Sequence, residues 1–409
     1  MDRFWHSYRR PGSLGAMETV EPRTCLAQLE RLLAEPPAAA RARGRRRWSA
    51  TWAPGTPLVL HGAGDMGLRA LGHLREQGIE PQAFADFAPE KQGTVLAGLP
   101  VLSPAQAAAR WGARALFLVT VANRSHSYAA TARAYATLGG CRTAPALEYF
   151  WAHPERCLPY YAMSPPETVL EGREEILEAF AALADPASRA HLLGYLRWRL
   201  HLDYAALPGP CPEPEYFPAS LVSLAGPQCF VDCGAYDGDT LGQFLARTGG
   251  GLRSAHLFEP DPANFRRLEA QVRGLPREVA GRVALYPVAA GARCGRARFQ
   301  SDGAESSALC ATGNIEVPVA ALDEVLGGAA PTFLKLDIEG AELDALQGAS
   351  GLIRAHRPTV AVCVYHRPDH PWKIPLLLKR LLPGHRVALR PHAADGWDWV
   401  AYAAPGVPA

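Results

Sequence analysis

The chain lacks several things, and each absence narrows its reading. None of its nine cysteines forms a CxxC pair, and Cys229 and Cys233, with three residues between them, are the closest two. A disulfide framework or a zinc site therefore has little to stand on, and a reducing cytosol is the expected setting. No apolar run approaches the roughly 18 residues that a membrane span needs. The stretch from Met1 to Gly15 has no apolar core of the secretory type, so a soluble, cytoplasmic protein is expected. Excess charge is absent too: 42 Lys and Arg face 40 Asp and Glu, a net charge of +2. So even a balance argues against binding nucleic acid or anionic membrane by bulk charge. No long-period repeat is visible.

What the chain has is length and apolar content. Its 409 residues exceed one ordinary domain, and 48% are hydrophobic, enough for sizeable cores. Four segments are expected. Residues 1–56 hold an irregular start, a helix carrying Leu26, Leu29, Leu32 and Leu33, and a basic run from Arg41 to Arg47. That run reads as a solvated linker. Residues 57–150 alternate strands and helices, which predicts a parallel sheet. Residues 151–227 show two helical stripes and a Pro-rich stretch from Pro208 to Pro218, and read as a helical linker. Residues 228–409 form a second α/β unit with seven expected strands, plus an added hairpin between Gly295 and Val319. The expected fold is thus two Rossmann-like, doubly wound domains joined by helices.

Chemistry concentrates in the second unit. A buried strand runs into Asp232-Cys233-Gly234-Ala235-Tyr236-Asp237-Gly238, and a helix follows. Glycines at such a turn let a ligand lie against the backbone, and the helix N-terminus attracts an anion. The next strand ends in Glu259, where a carboxylate can accept both hydroxyls of a ribose. The fourth strand ends in Asp337 and Glu339. With the strand order 3-2-1-4-5-7-6, the order reverses between strands one and four, so the glycine turn and Asp337 face each other there.

In the order VDCGAYDGDT (231–240), HLFEPDPANFRRLEA (256–270), KLDIEGAE (335–342) and VYHRPDHPW (364–372), these motifs resemble the FkbM family of methyltransferases. The resemblance covers about residues 170–405, including Tyr216-Phe217-Pro218. It implies S-adenosylmethionine as cofactor and, often, O-methylation of sugars or natural products. Carried over, Asp232, Gly234, Gly238 and Glu259 are cofactor contacts, and Asp337 and Glu339 belong to a KxDxEG motif. Cys233, Tyr236 and Asp237 are variants within the turn, with Tyr236 kept as a cofactor contact. Asp232 is expected to accept a bond from the cofactor ammonium. A hydroxyl acceptor must lose a proton, which calls for a base or a metal. His366, just past the fifth strand, is the first candidate base, followed by Asp337 and Glu339. Each also has a structural reading, and their spacing is no recognised metal-ligand signature. Glu342 reads as a first-turn helix acid. Ser306 and Ser307 either line the pocket or form a surface turn. His385, His392, Trp397 and Trp399 either shape an acceptor pocket or pack the core.

In the first unit Gly62, Gly64 and Gly67 fit GxGxxG between a strand and a helix, and Asp86 follows Gly67 by 19 residues, near the place of a ribose-binding acid. Residues 85–93 and 98–101 resemble the Rossmann-like N-terminal domains of sugar acyltransferases, which implies a nucleotide or nucleotide-sugar pocket. The alternative is a retained fold that binds nothing and positions the acceptor. The expected partner is a small-molecule or glycan acceptor, including a nucleotide sugar. Two rival functions stand beside methyl transfer: an NAD-dependent oxidoreductase acting through residues 57–150, and a scaffold with a vestigial methyltransferase fold. The acceptor and the oligomeric state are not legible.

Overall fold

A computed structural model of the chain describes residues 22–301, 303, 307–310 and 312–406. The irregular start and Ser306 lie outside the described residues.

The front sheet is built on Leu58–His61, four consecutive buried residues. Its six strands run in the order 95–96, 99–102, 83–85, 58–61, 116–119, 142–145. All neighbours pair in parallel except the first two. Those two form a hairpin, Val95–Leu96 with Leu99–Leu102, whose turn residues Ala97 and Gly98 have φ of 48° and 84°. Two positive φ values match the right-handed twist of such hairpins. Neither the hairpin nor the edge strand Arg142–Pro145 shows the buried apolar run by which the other strands announce themselves.

The basic run is not a solvated linker. It lies in a helix, Pro37–Thr51, whose buried face is Ala40, Gly44 and Trp48 at a spacing of four. Its arginines reach acids elsewhere: Arg41 to Glu167 (2.9 Å), Arg43 to Glu35 (2.6 Å), Arg45 to Glu155 (2.6 Å) and Arg47 to Glu148 (2.8 Å). Three of the four partners sit more than a hundred residues away in sequence. The run looks unbalanced only when read locally.

The helices of 151–227 pack against both α/β units. Pro186–His201 starts on an Asp185 cap, with Pro186 at its first position. Arg199 on this helix is 2% exposed, and donates to Tyr195, Pro368 and Ser164. One apolar cluster runs from Cys25 through Trp151 and Trp198 to Trp399 and Ala403, so the bridge shares a core with both units.

The rear sheet has seven strands in the spatial order 385–391, 399–405, 359–363, 333–336, 228–233, 252–258, 283–286. In chain order this is 6-7-5-4-1-2-3, the expected sequence of neighbours. Pairing is parallel throughout except on the two sides of Trp399–Pro405, which runs opposite to all the other strands. The first and fourth strands lie side by side, with Leu336 opposite Cys233. Their carboxyl ends therefore open at one place, where the order reverses. The expected hairpin is present as Gly295–Gln300 against Ile315–Ala320, inside a separate four-stranded sheet.

Candidate active site

The glycine turn is shaped by how closely two strand ends approach. Gly234 has φ of 81°, and a Cβ there would lie 1.8 Å from the Asp337 carbonyl oxygen. Only glycine fits. Gly234 and Ala235 donate their N–H groups to the Phe258 carbonyl at 3.0 and 3.1 Å, tying the turn to the second strand. The turn then reaches Gly238 (φ 93°) and the helix Asp239–Thr248. Beneath the turn, Lys335 donates to the Gly234 carbonyl (2.7 Å) and lies 3.0 Å from Asp232. The charges of Asp232 and Asp337 outweigh burial and hold the Lys335 ammonium charged. Asp232 is fully buried, and its carboxylate faces Lys335.

Glu259 closes the other side. Its carboxyl oxygens accept the Tyr236 N–H (2.9 Å) and the Asp261 N–H (2.8 Å). Burial still outweighs these bonds and pushes its pKa up to about 7. Asp261 caps the helix Pro262–Arg273 with one oxygen. Its other oxygen accepts from Ser301 (2.7 Å), the Gly303 N–H (3.2 Å) and Ser307 (3.1 Å). The serine loop is thus fastened to the Glu259 side of the site through Asp261, and Ser307 lines the cavity.

At the end of the fourth strand the acids surround His366. Its Nε2 lies 3.5 Å from Asp337 and 3.4 Å from Glu339, and its Nδ1 lies 2.7 Å from Glu342. Glu342 also reaches His370 at 3.1 Å. Glu342 is the first residue of its helix, as read from sequence, and accepts the Ile338 and Gly340 N–H groups (3.1 and 3.2 Å). Its grip on two histidines goes beyond that local role. Burial alone would lower the His366 pKa, but Glu339 and Glu342 outweigh it and hold the ring well above its ordinary value. The neighbouring carboxylates favour the imidazolium form. It has no free lone pair for a substrate proton or a metal ion. It is also 4% exposed and does not line the cavity.

Asp337 and Glu339 do line it. Lys335 and His366 outweigh burial and hold the Asp337 carboxyl below its ordinary value, and the Tyr216 hydroxyl donates to it at 2.8 Å. Burial pushes Glu339 up despite His366. Glu339 carries φ of 55°, a left-handed backbone that a glutamate adopts at a cost of about 1–3 kcal/mol.

These groups meet in one cavity of about 300 Å³. It is lined by Gly234, Tyr236, Asp239, Thr240 and Glu259, by Asp337 and Glu339, and by Tyr161, Glu215, Tyr365 and Trp397. Gly238 and Asp232 support the turn without lining the cavity. Trp397 faces the cavity, while Trp399 is buried in the core. His385 bonds the Arg357 carbonyl and His392 the Tyr402 hydroxyl, both away from it. Sequence reasoning missed Tyr161, Glu215, the bond from Tyr216, and a contribution from the front domain, Ala122 to Arg124. Tyr216-Phe217-Pro218 gave a signal for one of these.

Gly62, Gly64, Gly67 and Asp86 lie together at the front sheet, apart from this cavity. Asp86 accepts the Ala63 N–H (2.8 Å) and the Ala88 N–H (2.9 Å), and lies 3.3 Å from the Lys91 ammonium. A Cβ on Gly67 would lie 2.2 Å from the Gly62 carbonyl oxygen, so this glycine serves close packing of helix on strand.

Residues 232–386 match the family model described as the methyltransferase FkbM domain. This part of the chain is a methyltransferase domain. A crystal structure of methyltransferase FkbM from Methylobacillus flagellatus KT is similar in fold, with a TM-score of 0.74 and 23% identity over 94% of this chain and 100% of that one. The shared fold therefore takes in the front sheet as well as the rear. No curated protein matches the chain.

Proposed function

We propose that this protein transfers a methyl group from S-adenosylmethionine to a hydroxyl oxygen of a sugar, glycan precursor or natural product in the cytosol. One observation carries the reading: the glycine turn, Glu259 and the Asp337/Glu339 pair line a single cavity at the reversal of strand order. All nine cysteines are free thiols, which suits a reducing compartment.

The residues fit the cofactor. Glu259 stands where a carboxylate accepts ribose hydroxyls. Tyr236, Asp239 and Thr240 border the path from it to Asp337, and the N–H groups opening the helix Asp239–Thr248 favour a carboxylate. Bound there, the cofactor supplies a methyl group already activated on a sulfonium. The chain's own task is alignment and proton removal. Glu339 would take the acceptor's hydroxyl proton as that oxygen bonds the methyl carbon and the carbon's bond to the sulfonium sulfur breaks, because burial makes it the more basic of the two acids. Asp337, held low and bonded by Tyr216, orients the acceptor without taking the proton. His366 stays charged behind both and keeps two carboxylates from repelling each other. Carboxylates beside Tyr161 and Trp397 suit a polyol, whose hydroxyls donate to acids and whose C–H faces lie on aromatic rings.

Calorimetric titration of S-adenosylhomocysteine into the wild type and Glu259→Ala tests the reading. The wild type is expected to bind, and the variant at least about tenfold more weakly, a loss of about 1.5–3 kcal/mol for hydrogen bonds to a charged group. A folded wild type that does not bind would sink it.

A further inference from the structure

The methyl-transfer reading leaves open what recognises the acceptor. Resting on that reading, we propose that the front domain supplies part of the acceptor site through Asn123 and Arg124, and that the site takes an uncharged polyhydroxylated ring.

The cavity is not confined to the methyltransferase domain. Ala122, Asn123 and Arg124 follow the Leu116–Val119 strand of the front sheet, at its carboxyl end, and line the cavity with Glu215, Tyr161 and Trp397. Arg124 bridges to the rear domain: its guanidinium lies 3.1 Å from Glu215 and 2.9 Å from Asp398. Asn123 turns its carbonyl oxygen to Ser125, accepting from the backbone N–H (3.1 Å) and the hydroxyl (2.8 Å). Asn123 lines the cavity, and its amide N–H₂ is a donor that these two bonds leave uncommitted.

The loop is held in place from both domains. Asp395 of the rear domain accepts the Tyr128 N–H at 2.5 Å, at the start of the helix Tyr128–Thr137, and lies 3.5 Å from His126. That is a carboxylate on the N-terminus of a helix in the other domain. Asp395, Gly396 and Asp398 all have positive φ (52°, 86° and 48°), so the rear loop holds an unusual backbone to make this contact. A wall fixed this way can select a ligand by shape.

Charge selects the ligand class. Arg124 is matched by Asp398, and Asp337 and Glu339 add further acid. Burial and the neighbouring acids push Glu215 up to about 8, so at neutral pH it presents a donor O–H. A phosphate or carboxylate beside the reacting hydroxyl would meet these acids without a spare cation. Neutral hydroxyls meet donors from Asn123, Arg124 and Glu215 and acceptors from Asp337 and Glu339. Tyr161 stands edge-on to Trp397 with ring centres 4.9 Å apart, giving a C–H face something to rest on.

The test uses the full chain saturated with S-adenosylhomocysteine, and methyl hexopyranosides and their 6-phosphates as probes, followed by saturation-transfer NMR and calorimetry. At least one neutral hexoside is expected to bind, and more tightly than its 6-phosphate. Asn123→Ala and Arg124→Ala should each weaken it at least tenfold while the affinity for S-adenosylhomocysteine stays within twofold. Because Arg124→Ala also removes two ion pairs and can fail to fold, Asn123→Ala, which loses contacts to Ser125 alone, decides the matter in that case. The proposal is overturned if no hexoside binds the complex, if the 6-phosphates bind more tightly, or if Asn123→Ala leaves hexoside binding unchanged. Failure of the wild type to bind S-adenosylhomocysteine is a separate result and removes the methyl-transfer reading itself.

Discussion

In the front sheet the acid ending the second strand, Asp86, accepts the Ala63 N–H at 2.8 Å; in the rear sheet Glu259 accepts the Tyr236 N–H at 2.9 Å. Strand, glycine turn, helix and acid recur in the same arrangement. The surroundings differ. Asp86 has the Lys91 ammonium at 3.3 Å, and its backbone bonds and that charge outweigh burial and hold its carboxyl low. Glu259 forms no ion pair among the described residues, feels Lys335 only at a distance, lines a cavity, and is pushed up to about 7. The buried histidines diverge likewise. His61 lies 2.9 Å from the Tyr135 hydroxyl, and burial lowers it to about 4, so it is neutral. His366 lies among carboxylates and is charged. One chain thus holds two copies of a turn, and what separates them is whether their charges are already answered within the protein.

The largest expected effect breaks the histidine half of this contrast. His366→Ala takes from Glu342, whose side chain is fully buried, the nearer of its two histidines and leaves only His370, and it also strips the ring from between Asp337 and Glu339. Leaving a buried charge unpaired costs about 3–5 kcal/mol. His61→Ala leaves only the neutral Tyr135 hydroxyl without its partner, which costs about 1–3 kcal/mol beside the lost packing. Urea unfolding of both variants checks the order. Equal losses would mean that His366 is not charged in the folded protein.

A smaller effect separates the glycines. Gly234→Ala must clear the Asp337 carbonyl and hold φ of 81°, and is expected to cost about 2–3 kcal/mol and much of the S-adenosylhomocysteine affinity. Gly64 has φ of −141°, with open space where a Cβ would go. Gly64→Ala is expected to stay within about 0.5 kcal/mol of the wild type and to bind S-adenosylhomocysteine normally. Thermal melts with and without the ligand read both quantities.

What was legible follows from the range of each interaction. The rear strands and their order were readable because each buried strand is a short apolar run beside a helical stripe. Gly234, Glu259, Asp337 and Glu339 were readable because a turn and a strand end announce themselves within ten residues. The charge on His366 was not, since it depends on Glu342, 24 residues away, turning back toward it. The helix of the basic run was missed because its acids are far off in sequence. Arg124 and Asp398 lie on opposite domains, and no local pattern foretells that they touch. The hairpin at 95–102 was missed for the opposite reason: its strands are too short to show alternation, and only the Ala97-Gly98 turn defines it.

The smallest expected effect is on pH, and it sharpens the contrast between the two acids. With a folded pKa of about 7 against an ordinary 4.5, Glu259 contributes stability to the empty protein that is fully present below 4.5 and is lost as pH rises through 7. Ribose hydroxyls donate to the ionised form, so the ligand complex moves the other way. Affinity for S-adenosylhomocysteine should therefore strengthen between pH 6 and pH 8, by roughly tenfold if only the ionised carboxylate binds. The rise in melting temperature on adding the ligand should grow over the same interval. Glu215 titrates nearby, at about 8, so the wild-type profile alone does not assign the change. Glu259→Gln should bind more weakly at pH 8 and lose the slope. Asp86→Asn, at the front turn, should leave both slope and affinity as they are, because Asp86 is already ionised and answered by Lys91. A slope that survives Glu259→Gln would assign the titration to the acceptor end of the cavity instead.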